Sequence, residues 1–110
     1  MIKQEIQTAR FQVIKAITNE HINLYWKIGK IILEKQEEEG WGKSVVKKIS
    51  NDLQNDFPDS NGYSTRNLRD MRRFYSRYST NEKLRQLVAE IPWGQNLLIL
   101  IKIKRINPFL

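Results

Sequence analysis

The sequence predicts an all-α fold: a helical bundle with a long first helix and a helix-turn-helix-like pair at about residues 43–57 and 64–78. Three observations lead there. Apolar residues recur at spacings of three and four along most of the chain, which is the period of an amphipathic helix. Prolines number three and glycines five, and most of them gather at 40–42, 58–62 and 92–94. The 110 residues include no cysteine, so packing rather than disulfides or thiolate zinc must hold the fold. Domains run roughly 100–200 residues, and the expectation is a single domain over 1–110.

The first helix is expected from about Glu5 to Glu38. Ile6, Ala9 or Arg10, Val13, Ile17, His21, Leu24, Ile28, Ile31 and Ile32 form the stripe expected to meet the core. Gly29 is its one glycine. It costs about 1 kcal/mol against alanine and suggests a kink or a close helix contact. Glu37–Glu39 sit at the negative end of the helix dipole, so fraying is expected there. Gly40 suits a left-handed cap.

The second helix should run from Lys43 to Phe57. Val45, Val46, Ile49, Leu53 and Phe57 form its apolar side, and Pro58 stops it. Pro58–Tyr63 is rich in turn residues, and Asn61-Gly62 suits positive φ. Ser64 is then the N-cap of a third helix, Thr65 to about Tyr78. Ser79 and Glu82 have capping-box spacing ahead of a short helix to about Glu90, buried through Leu84, Leu87 and Val88. Ile91–Gly94 breaks the chain. Gln95–Arg105 fits a last helix, but the alternation of Ile99, Ile101 and Ile103 with Lys102 and Lys104 fits a strand as well.

The net charge of +7 is unevenly placed. Met1–Gly42 holds six basic and six acidic residues, so the excess lies beyond it. Ser64–Ser79 carries Arg66, Arg69, Arg72, Arg73 and Arg77 against Asp70 alone. At about 100° per residue, Arg69, Arg73 and Arg77 fall within about 60° of Arg66. Leu68, Met71, Phe74, Tyr75 and Tyr78 fall on roughly the other side.

Much chemistry is excluded. One histidine, His21, cannot build a multi-histidine metal cage, and it reads as a partly buried helix residue. Glu37-Glu38-Glu39 reads as a solvated helix end without partner ligands. Trp26, Trp41 and Trp93 read as core anchors, since each has apolar neighbours. Gly40 and Gly42 precede no phosphate-loop signature. No catalytic residue, metal, cofactor or small-molecule substrate is expected. No run approaches the roughly 18 apolar residues of a membrane span. Met1–Arg10 lacks a signal-peptide core, so a cytoplasmic protein without a membrane partner is expected.

What remains is nucleic-acid binding. The major groove admits one helix, whose amino-terminal residues reach base edges while its flanks contact phosphate. Ser64, Thr65, Arg66, Asn67 and Arg69 occupy the reading positions, where Arg can pair with guanine and Asn with adenine. Arg73 and Arg77 suit phosphates, and Lys43, Lys47 and Lys48 can clamp the backbone from the preceding helix. The partner is DNA, with RNA as the competing polymer. The loop Pro58–Tyr63 exceeds the usual three-to-four-residue turn. The competing reading is a solvated basic helix face.

LYWKIGKII (Leu24–Ile32), GWGKSVVKKISNDLQNDFP (Gly40–Pro58), GYSTRNLRDMRRFY (Gly62–Tyr75) and IPWGQNLLIL (Ile91–Leu100) occur in this order. Together they resemble the amino-terminal helical domain of the bacterial YhcG-like family of predicted PD-(D/E)xK nucleases. The resemblance spans about residues 5–100. It implies a DNA-binding module ahead of a nuclease-like domain. It carries over no catalytic residue, because those belong to the second domain, which is absent from these 110 residues. No acidic pair followed by a Glu-x-Lys strand occurs after Trp93.

The alternative function is homo-oligomerisation or protein interaction. Leu97, Leu98, Ile99, Leu100 and Ile101 must be covered, in this domain or by a partner, and the long first helix could contribute to a homodimer.

Overall fold

The computed structural model describes residues 1–106. They form five helices: α1 (Ile2–Glu39), α2 (Lys43–Asp56), α3 (Thr65–Tyr78), α4 (Glu82–Val88) and α5 (Trp93–Ile106). No strand occurs among the described residues. The fold is all-α with a long first helix. Residues 97–101 lie in α5 and are helical. The Asn96 N–H bonds to the Pro92 carbonyl at 3.0 Å, an i to i−4 bond that opens the helix directly after the proline. Trp93 and Gly94, expected in the break, are already in α5.

Two compact units divide the chain, one of Tyr25–Thr80 and one of Met1–Leu24 with the segment from Asn81 onward. In the Tyr25–Thr80 unit the core is built on α3. Leu68, Met71 and Phe74 are each 0% exposed, and Tyr78 is buried with them. Tyr25, Trp26 and Ile32 are buried on α1, and Val46 and Ser50 on α2. The Trp26 ring meets Phe74 at 5.8 Å and Tyr75 at 4.9 Å, both edge-to-face. Phe74 meets Tyr78 at 5.4 Å in the same manner. Edge-to-face contact places the positive ring edge on the negative face of its neighbour.

Gly29 makes this arrangement possible. A Cβ there would overlap the Met71 carbonyl, so the α1 and α3 backbones touch at this point. Close by, the Arg72 guanidinium donates to Gln36 Oε1 at 2.9 Å. The helix runs to Glu39, where two side-chain contacts meet the acidic end. Glu39 accepts from Lys35 Nζ at 3.0 Å and from the Trp41 indole at 3.1 Å. Those contacts hold its carboxyl below the usual range, with Lys35 the larger cause. Gly40 follows at φ +67°, the left-handed cap the sequence suggests.

The stripe expected to bury α1 is a correction. Ile6, Val13, Ile17, Leu24 and Ile31 are exposed, and so is His21. The buried residues are Ile22, Tyr25, Trp26 and Ile32. This helix carries apolar residues on two sides. Spacing alone cannot choose between them, whereas the glycine contact at Gly29 does.

In the other unit, fully buried Asn96 donates through Nδ2 to the Val88 carbonyl at 3.1 Å and the Ile91 carbonyl at 2.8 Å. It thereby ties α5 to the end of α4 and to the turn between them. Asn81, not Ser79, caps α4: its Oδ1 accepts from the Leu84 N–H at 3.1 Å. Ser79 instead closes α3. Leu87, expected in the core, is 64% exposed. Lys15 pairs with Glu90 at 3.7 Å.

Two core phenols make stability depend on alkaline pH. Burial first, then the nearby Tyr63, raises Tyr25 above the ordinary 10.0, against a hydrogen bond from Asn67. Burial likewise raises Tyr78, opposed by Arg77. The unfolded chain therefore loses these protons at lower pH than the folded chain. Stability is fully present below about pH 10 and falls as pH rises beyond it. The melting temperature should drop above about pH 10. The drop should be shallower in Tyr25→Phe and Tyr78→Phe; an unchanged profile in both would refute this origin.

Candidate nucleic-acid interface

The α2–α3 connection is long but anchored. Ser50, buried on α2, donates through Oγ to the Tyr63 carbonyl at 2.6 Å. Gln54, one turn later, donates to Ser50 Oγ at 2.8 Å and to the same carbonyl at 3.3 Å. From α3, Asn67 Nδ2 donates to the Gly62 carbonyl at 2.6 Å. The Phe57 and Tyr63 rings lie 6.1 Å apart. Side chains from both helices thus hold a loop longer than the usual turn. Ser64 caps α3 as expected, its Oγ accepting from the Asn67 N–H at 3.1 Å.

Burial of the apolar side of α3 orients the rest of the helix. Arg66 and Arg69, in the first two turns, are exposed. Arg73 is half-buried and lies 3.6 Å from Asp70, three residues earlier. Arg77 is half-buried with its guanidinium 5.6 Å from the centre of the Tyr78 ring. Its Nε–H is buried without a hydrogen-bond partner. An unmatched buried donor typically costs about 1–3 kcal/mol. Arg72 is engaged with Gln36 and lies away from the stripe.

The remaining candidates divide. Ser64 spends its hydroxyl on the cap and Asn67 spends its amide on the loop, while Thr65 is half-buried. Lys43, Lys47 and Lys48 are exposed on α2. Lys43 and Lys47 are one turn apart on one side, and Lys48 lies about 100° further round. Among the α5 candidates, Leu98 and Ile101 are exposed, and Leu97 and Ile99 are half-buried. Leu100 is buried within the domain, one of the two ways of covering this segment that the sequence allowed.

Sequence reading missed Ser50 and Gln54. Small and amide side chains on a helix give no signal of the loop they will hold. Trp26 is buried as expected, whereas Trp41 and Trp93 are only half-buried. Among the described residues, no group of three or more His, Cys, Asp or Glu could hold a metal ion. No described helix is long and apolar enough to cross a membrane.

The sequence model of the DUF1016 N-terminal domain family matches residues 1–108. No curated protein and no solved structure matches the chain.

Proposed function

We propose, on the premise that the chain belongs to the DUF1016 N-terminal domain family, that it is a DNA-binding module of helix-turn-helix type. One observation carries this reading. Leu68, Met71, Phe74 and Tyr78 bury the apolar side of α3, which leaves Arg66 and Arg69 exposed at its amino-terminal end and Arg73 and Arg77 half-exposed further along. A helix entering the major groove reads bases from that end. Arg66 and Arg69 take the base edges. Arg73 and Arg77 take phosphates, as do Lys43 and Lys47 from α2. The resemblance to YhcG-like proteins supports the same role, in which the module presents DNA to a nuclease-like domain and does no chemistry itself.

The polymer is duplex DNA rather than duplex RNA. The A-form major groove is deep and narrow and does not admit a helix. With four side chains on phosphates, log K should fall against log salt with a slope of about −3.6. Fluorescence anisotropy with labelled DNA and RNA duplexes, titrated at several salt concentrations, measures both. A slope near zero, or equal affinity for the two duplexes, would overturn the reading.

A further inference from the structure

The first turns of α1 carry a face that none of the described residues covers. Ile6, Val13, Ile17 and Leu24 are 42–63% exposed. Arg10 and Glu20, also exposed, complete the row. Residues 6, 10, 13, 17, 20 and 24 alternate spacings of four and three, the seam of a coiled coil. At 1.5 Å per residue this seam is about 27 Å long. The opposite side of the helix is already used, through buried Ile22 and the Lys15–Glu90 pair.

We infer that this face pairs with the same face of a second copy of the chain, antiparallel, about a two-fold axis at the level of residue 15. The charge pattern selects both occupant and direction. Reversing the helix about residue 15 maps the row onto itself. Ile6 then meets Leu24 of the second copy, Val13 meets Ile17, and Arg10 meets Glu20, the last pair forming twice. A parallel pair would set Arg10 on Arg10 and Glu20 on Glu20, which like-charge repulsion disfavours. The flanking positions agree. Ile14 and Ala16 meet their own copies, Ala9 meets Asn23, and Gln7 meets His21, so no like charges oppose. Ala9 and Ala16 are small enough to let the helices approach closely. A contact of this kind is isologous and closes at two subunits.

Sedimentation equilibrium of the 110-residue chain tests the pairing. The expected mass rises with concentration from 13.1 kDa to twice that value. Arg10→Glu alone and Glu20→Arg alone should each raise the dimer dissociation constant about tenfold or more, and the double exchange should restore it. Circular dichroism checks that each variant remains folded, as exposed positions allow. Direction is read by disulfide formation in a chain that has no cysteine of its own. Ala16→Cys should cross-link to itself under mild oxidation. Leu24→Cys should not, yet it should cross-link when mixed with Ile6→Cys. A monomer at every concentration, self-linking of Leu24→Cys, or a double exchange no better than the single changes would each overturn the inference. A monomer would mean that some other protein or segment covers this face.

Discussion

Gly29→Ala should destabilise the protein by about 3 kcal/mol or more, at the upper end of the usual cost of over-packing. Helix propensity alone predicts the reverse, since alanine is favoured over glycine by about 1 kcal/mol within a helix. The sign therefore separates the two effects. A Cβ at this position would overlap the Met71 carbonyl, which is backbone and cannot rotate aside. α1 and α3 would have to separate. The Trp26 contacts with Phe74 and Tyr75 would open, and the closed packing around Leu68 and Met71 would loosen. Against a total stability of about 5–15 kcal/mol, this is a large share. Urea unfolding followed by circular dichroism would show a lower midpoint at unchanged slope. An equal or higher midpoint would mean that the two backbones do not touch.

Replacing Arg66, Arg69 and Arg73 together with alanine should abolish most DNA affinity and leave the fold intact. Of the three, Arg73 is the one placed on phosphate, so the salt slope should flatten by about 0.9 while the lost base contacts lower affinity at every salt concentration. Arg66 and Arg69 are exposed, and Arg73 has only a partly exposed partner, Asp70. Such surface pairs contribute about 0–1 kcal/mol. Helicity should therefore persist. Arg72→Ala is the informative control, because that guanidinium holds Gln36 and does not belong to the stripe. It should lower stability more than affinity. Unchanged DNA binding in the triple variant would remove α3 from the interface.

α3 was legible to its ends, because a Ser cap, an apolar side and a basic side all point to one helix over Thr65–Tyr78. The α5 segment was ambiguous because β-branched residues alternate there. The structure makes it helical throughout Trp93–Ile106. The buried side of α1 was misread because its apolar residues fill two stripes, and a one-dimensional period weights them equally. Gly29 held the answer, but a glycine reveals its role only when the opposing backbone is known. At the candidate site, charge and register located the arginines. They did not reveal that Arg72 is engaged by Gln36 and Arg73 by Asp70, nor that Asn67 is engaged by the Gly62 carbonyl.

Surface loops usually absorb insertions at little thermodynamic cost, because closure entropy grows slowly with length. The α2–α3 loop is different. Its last carbonyl before Ser64 is gripped by Ser50, which is 1% exposed. One added or deleted residue would carry the Tyr63 carbonyl away from that hydroxyl, stranding a polar atom in the core. The spacing between the two helices is thus fixed from beneath, by a serine in α2, rather than by the turn residues at the surface. Divergent copies of this module could change the loop residues while keeping its length, apart from Gly62, where a Cβ would overlap the Tyr25 hydroxyl.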